Sequence, residues 1–313
     1  MIEIIKNKTD IKFTGMFGVT AFISIALVAA SLFLIFSKMK YGVDFRGGAE
    51  VQVKFSNSIK VKDIRASLAN AGFDSASVQT IGEAKDNEIL IKVQAKENEL
   101  NKVEAKVEEN LEKTFGKENV EVRKVDIVGP KAGAELRVSG FQAMGYALLA
   151  IMIYIGLRFD FKYSPGAIGA LFHDVSIILG VFALSGTEFT LQTVAALLAV
   201  IGYSVNDTVI VYDRVRENEV NMPGKSLAEQ IDKSVNETLS RTVLTSGTTL
   251  FISVAMYIFG GEAIKDFFFA ITLGVLVGTY SSIFVAAPIT LLFDRFFGES
   301  RNGSAVSSKV SQN

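Results

Sequence analysis

Ala195-Ala-Leu-Leu-Ala-Val-Ile-Gly-Tyr-Ser-Val-Asn-Asp-Thr-Val-Ile-Val211 is an apolar run broken by one amide and one carboxylate, Asn206 and Asp207. A helix crossing about 30 Å of hydrocarbon needs roughly 20 predominantly apolar residues, and the stretch 189–211 supplies that length. The run therefore reads as a membrane span. Asp207 lies about 9 Å inside the Asp213-Arg214 boundary at a rise of about 1.5 Å per residue. A carboxylate is too short to snorkel from there, and charge at that depth faces a bundle interior, a partner or water.

Five further runs have the same character, near 14–36, 139–157, 165–185, 242–260 and 267–293. The expected architecture is a polytopic α-helical membrane protein with six transmembrane helices. Composition agrees: 49% of the 313 residues are hydrophobic and 21% charged, and the charges crowd into 38–138 and 213–241. The run at 14–36 is too long for a signal-peptide core and lacks a small-residue cleavage site, so it reads as an uncleaved span. Absence of cysteine excludes a disulfide framework and a thiolate metal site, and one histidine argues against a zinc centre. A net charge of -1 argues against nucleic-acid binding.

Basic residues in short loops set the expected orientation. Lys6, Lys8 and Lys12 precede the first span, Arg158 and Lys162 follow the second, and Arg214, Arg216, Lys225 and Lys233 follow the fourth. Arg295, Arg301 and Lys309 close the chain, whereas the third-to-fourth connection carries no basic residue and the fifth-to-sixth only Lys265. Residues 1–13, the loop 212–241 and the tail 294–313 are thus placed in the cytoplasm, and 37–138 outside it. Within the loop, Leu227, Ile231, Val235 and Leu239 recur at four-residue spacing, which reads as an amphipathic surface helix or as bundle packing.

The insert 37–138 changes period. Val51, Val53 and Phe55 alternate with polar residues, as in a half-buried strand; 61–71 has helical spacing through Ile64 and Leu68 and ends at Gly72. Strand-like 77–81 and 88–93, a helix over 98–115 and a strand over 120–128 follow. The order βαββαβ predicts an α+β ferredoxin-like domain. It reads as a solvated scaffold or as a docking surface.

The other intramembrane polar residues are His173 and Asp174, about 13 Å into the third span, and Arg241, which opens the fifth with Thr245 on the same helical face. Each has a plain structural use: His173 as a helix-to-helix hydrogen-bond partner, Asp174 as a pairing residue, Arg241 reaching headgroups. Asp207 has none. Desolvation disfavours a carboxylate's ionised form and a nearby guanidinium favours it, so modest rearrangement could load and unload one proton. Gly274 and Gly278 form a GxxxG in the sixth span, continued by Ser281 and Ser282, marking a close helix contact.

Six segments carry a resemblance. Tyr41-Gly-Val-Asp-Phe-Arg-Gly-Gly48, Val128-Gly-Pro-Lys-Ala-Gly-Ala-Glu-Leu136, Ala170-Leu-Phe-His-Asp-Val175 and the block from Ile201 to Asn218 are similar to motifs of the SecD/SecF protein-export family. So are Thr238-Leu-Ser-Arg-Thr-Val-Leu-Thr-Ser246 and Gly278-Thr-Tyr-Ser-Ser-Ile283. The fourth-span wording and the single small insert resemble the SecF branch. The resemblance implies one six-span half of a twelve-span unit of the resistance-nodulation-division superfamily, in a bacterial inner membrane, with both termini cytoplasmic. It implies SecD as the other half, YajC as companion, and assistance to the SecYEG channel after ATP-driven insertion of preproteins by SecA.

Carried over by motif position, Asp207 corresponds to the proton-path aspartate and Arg241 to its arginine, with His173, Asp174, Asn206 and Thr245 as supporting polar residues. Gly42, Asp44, Arg46, Gly47 and Gly48 form the junction between first span and insert. No covalent chemistry, cofactor or metal is expected; the coupling ion is the proton. Besides lipid, the expected partners are proteins. Two rivals stand beside this reading, a proton-driven small-solute or lipid exporter of the same superfamily and a passive assembly subunit.

Overall fold

The apolar run beginning at Phe17 sustains a single helix, α1 (Phe17–Lys38), until Ser37-Lys38 ends it. Its phenylalanines Phe22, Phe33 and Phe36 point outward, as a lipid-facing helix requires. The computed structural model describes residues 9–74, 76–81, 86–95 and 100–296. Lys6, Lys8, Arg301, Lys309 and the predicted helix start at Asn98 lie outside the described residues.

After α1 come a two-residue strand β1 (Lys40–Tyr41) and one helical turn α2 (Val43–Arg46). The insert then runs β2 (Gly48–Phe55), α3 (Val61–Asn70), β3 (Ser77–Ile81), β4 (Glu88–Val93), α4 (Leu100–Phe115) and β5 (Val120–Val128). Its sheet has the order β3-β4-β2-β5, with every neighbouring pair antiparallel. Each helix thus joins two parallel strands with a third between them, which is the split βαβ arrangement.

Alternation decides which face is buried. Ala49, Val51, Val53 and Phe55 of β2 and Ile89, Ile91 and Val93 of β4 point into one core with Ile64 and Leu68 of α3 and Val103, Val107 and Leu111 of α4. Val51 sits opposite Ile91 on one side and Val125 on the other. Ser67 ties the two helices by donating to Asn110 Oδ1 at 2.7 Å.

The membrane bundle is built from α5 (Pro130–Arg158), α6 (Ser164–Ser185), α7 (Leu191–Asn221), α8 (Leu227–Phe259) and α9 (Glu262–Ser281), together with α1. All six are long and apolar enough to cross a membrane. A strand β6 (Glu188–Phe189) between α6 and α7 pairs in parallel with β1. Pro130 sits in the first turn of α5, where its missing N–H removes no helical bond. Helix α6 is the most buried of the six.

Residues 212–221 continue α7 and residues 227–241 begin α8, so the loop after the fourth span is a helical hairpin turning at Met222-Pro223-Gly224. The stripe at four-residue spacing packs inward: Ile231 and Val235 are buried with Val211, Tyr212 and Val215. A Ser226–Glu229 capping box starts α8, and Thr190 caps α7. The chain's amino-terminal stretch meets the same hairpin, Thr14 donating to Asp232 and Asn236 to Ile11 O. Lys162 pairs with Glu219 and Arg158 with Asp213, so the basic loops gather at one end of the bundle, opposite the insert.

Candidate functional site

Helical spacing turns Ser204, Asp207, Thr208 and Val211 of α7 toward the bundle interior, where all four are buried. Asp207 is 5% exposed. Its Oδ1 accepts a hydrogen bond from Thr242 Oγ1 of α8 at 2.7 Å, and its Oδ2 accepts one from Ser282 Oγ at 2.5 Å. Ser282 begins a π-helical turn, Ser282–Ala286, that continues α9 toward the hairpin end of the bundle. Such single turns inside α-helices recur at functional sites, because the extra residue re-aims its side chains. Asp207 therefore clamps three helices through one carboxylate.

Arg241 precedes Thr242 and is exposed. Among the described residues it makes no hydrogen bond or ion pair to Asp207, whose partners are Thr242 and Ser282. Arg241 lines a cavity of about 290 Å³ at the hairpin end with Arg158, Asp213, Arg214 and Glu217. The Arg214 guanidinium is held by Glu237 at 2.6 Å and Glu217 at 2.5 Å. Asn206 faces outward, and Thr245, half-buried, donates to the Arg241 and Thr242 carbonyls of its own helix. Neither joins the Asp207 contact.

A second buried carboxylate lies close by. Asp174 of α6 is 1% exposed; its Oδ1 meets His173 Nδ1 at 3.0 Å, and its Oδ2 accepts from Ser204 at 2.6 Å and Ser281 at 2.8 Å. The His173 ring stacks on Tyr280, with centroids 5.9 Å apart, and Tyr280 Oη in turn meets Ser24 of α1 and donates to Thr20 O. Both carboxylates, the histidine and the arginine stand out in the sequence, whereas the hydroxyls that hold them do not. Thr242, Ser204, Ser281 and Ser282 were legible only as small residues, because one serine in an apolar helix looks like another until its partner is known.

At the insert end, the junction glycines have steric reasons. Gly47 and Gly48 have φ of +84° and +153°, and a Cβ on Gly48 would lie 2.2 Å from Val93 O. At Gly47 it would lie 2.7 Å from the Pro130 backbone, so only glycine lets the chain pass between sheet and α5. Gly42 donates its N–H to Phe189 O at 2.9 Å, and Asp44 Oδ2 accepts from Leu191 N at 2.9 Å. Asp44 thus satisfies a free donor at the start of α7 and places negative charge at its positive end. Phe45, 2% exposed, packs on Phe189.

Arg46 lines a cleft of about 520 Å³ between insert and bundle with Lys40, Arg65, Lys92, Glu188 and Asp266. Burial pushes Glu188 above the ordinary carboxylate range; Lys92 and Arg46 oppose that shift, while Glu50 and Asp266 add to it.

The geometry can be set against known proteins. The family model "Protein export membrane protein SecD/SecF, C-terminal" matches residues 106–295, and "SecD/SecF GG Motif" matches 32–59. The chain belongs to the SecD/SecF protein-export family. Within it, the SecF protein translocase subunit of Rickettsia akari is 39% identical over 293 residues, covering 93% of this chain and 94% of that one. SecF of Desulfurispirillum indicum is 42% identical over 272 residues, covering 85% and 86%. The crystal structure of SecDF from Thermus thermophilus superposes with a TM-score of 0.79 at 34% identity, covering 93% of this chain and 40% of that one. This chain therefore spans about two-fifths of the length of that SecDF chain. The two family models take in the glycine junction at one end and His173, Asp174, Asp207 and Arg241 at the other, in a multi-pass inner-membrane protein.

Proposed function

We propose that this chain is the SecF-type half of a proton-driven complex that assists late, ATP-independent steps of protein export. Asp207 takes up and releases the coupling proton, and Arg241 tunes its charge. The observation that carries this reading is the Asp207 clamp: a carboxylate nearly sealed from solvent, held by two hydroxyls from different helices and by no directly bonded cation among the described residues.

Protonation changes what such a clamp holds. An ionised carboxylate accepts from both Thr242 and Ser282; a protonated one has a hydrogen to donate and accepts more weakly at that oxygen. Proton binding therefore loosens α7 from α8 or from the π turn of α9, and release restores the grip. Helix α9 meets β3 of the insert at its other end, so a shift along it reaches the insert. A proton crossing about 100 mV contributes about 2.3 kcal/mol, enough to bias a two-state rearrangement.

In this reading the insert is extracytoplasmic and acts on the emerging preprotein, while both termini and the hairpin are cytoplasmic. The gathering of basic loops at the hairpin end supports that orientation. A SecD-type chain supplies the other half, alongside SecYEG and YajC, with SecA driving the earlier step. The test is proton flux through the reconstituted complex, followed with a trapped pH-sensitive dye under an imposed gradient. Asp207→Asn is expected to abolish gradient-dependent flux with the complex intact; undiminished flux contradicts the assignment.

A further inference from the structure

Two polar side chains near the Asp207 clamp are not used by it. His173 is 3% exposed and Asp174 1%, and they are successive residues of α6. Asp174 faces hydroxyl donors on Oδ2, from Ser204 and Ser281, and the imidazole on Oδ1. With a carboxylate oxygen against it, Nδ1 carries the ring hydrogen and donates it, which leaves the lone pair on Nε2. That Nε2 is buried and has no hydrogen-bond partner among the described residues. Buried polar atoms are almost always paired, and an exception calls for a reason.

We propose that His173 and Asp174 form a second proton-binding site, distinct from Asp207 and coupled to it through the adjacent hydroxyls of Ser281 and Ser282. The ligand is a proton, received on Nε2. An imidazolium beside an ionised Asp174 makes a neutral pair, which a low-dielectric interior favours over a lone carboxylate. No lysine or arginine forms an ion pair with Asp174 among the described residues, so His173 is the group placed to supply the balancing charge. The Tyr280 ring stacked on the imidazole offers its π face to that cation.

The surroundings are otherwise quiet. Helices α1, α5, α7 and α9 pack against α6. Among the described residues, Tyr280 of α9 is the titratable side chain they bring into contact with the couple, its hydroxyl engaged by Ser24 and Thr20 O. Asp207 stands beyond the serine pair: Ser281 donates to Asp174, and Ser282 donates to Asp207. Ser204, the other hydroxyl on Asp174, lies one helical turn before Asp207 on α7. A charge change at either carboxylate thus pulls on a donor whose neighbour holds the other. The coupling is reciprocal, as linkage requires: negative charge on Asp207 favours the proton on His173, and that proton favours ionised Asp207.

The assignment of Asp207 as proton carrier enters only the coupling half of this proposal. His173 is the chain's one histidine, so ¹⁵N-histidine labelling of the full chain in lipid vesicles gives a single imidazole to follow by solid-state NMR. As the pH is raised, an imidazolium signal is expected to give way to that of the neutral ring protonated on Nδ1. In Asp207→Asn the protonated fraction at a given pH is expected to be smaller, and in Asp174→Asn smaller again. A neutral ring at every pH, or one protonated on Nε2, overturns the site; a titration unchanged by Asp207→Asn overturns the coupling. Neither result bears on Asp207 itself, whose role is read from the proton flux of its own variant.

Discussion

Ser281 and Ser282 are neighbours in the chain yet hold different carboxylates: Ser281 donates to Asp174 at 2.8 Å, and Ser282 donates to Asp207 at 2.5 Å. Successive helical side chains diverge by about 100°, so α9 reaches α6 with one serine and α7 with the next. The π turn that begins at Ser282 lies where these contacts are made. Three helices are thus fastened at one level by hydroxyl–carboxylate bonds.

Removing the Ser282 hydroxyl is expected to cost about 1.5–3 kcal/mol of interaction with the charged form of Asp207, which is roughly a tenfold change or more in its protonation balance. Ser282→Ala should therefore slow gradient-driven preprotein export about tenfold. Thr245→Ala should change it by less than about twofold, since the Thr245 hydroxyl bonds only carbonyls of its own helix. Export measured in membrane vesicles at equal expression checks both.

Asp44 caps α7 from a distance by accepting from Leu191 N. Asp44→Ala is expected to lower stability by about 0.5–2 kcal/mol, while Asp44→Asn, whose amide oxygen can still accept, should lose a smaller part. Thermal unfolding of the detergent-solubilised chain compares the two variants.

Glu188 carries a pH dependence of definite sign. Its folded-state pKa lies above the ordinary carboxylate value because burial disfavours its charge, so the folded chain binds this proton more tightly than the unfolded chain does. Stability from this group is then lower once pH rises above the folded pKa, and the penalty vanishes as pH falls below the unfolded value. Glu188→Gln should stabilise the chain near pH 8 and make almost no difference near about pH 4. An equal effect at both values contradicts the assignment.

A steric prediction concerns Gly274 of α9, where a Cβ would lie 2.2 Å from Val200 Cγ2. Gly274→Ala is expected to destabilise by about 1–3 kcal/mol through overpacking. Adding Val200→Ala should recover part of that loss, which a double-mutant cycle in thermal unfolding reads as coupling.

Much of this fold was legible in the sequence because its signals are strong ones. Apolar length marks a span regardless of neighbours, and the alternation of Val51, Val53 and Phe55 marks a strand that buries one face. Asp207 stood out because a short carboxylate deep in an apolar run has few uses. The hairpin was less legible. The stripe Leu227, Ile231, Val235 and Leu239 has one apolar face whether it lies on a membrane or on another helix, and only the position of Val211, Tyr212 and Val215 decides for packing. Asn206 and Thr245 drew attention by type and spacing, yet hydrogen bonding to Asp207 depends on rotation about two helix axes, which one-dimensional spacing does not specify. Thr242 holds that contact instead.

The most direct test of the central claim is completion of preprotein translocation in inverted membrane vesicles lacking this chain, supplied with wild type or Asp207→Asn at equal levels under an imposed pH gradient. Wild type is expected to restore gradient-driven completion, and Asp207→Asn to assemble without restoring it. Equal rescue by both would contradict the claim and would move the coupling proton out of this subunit.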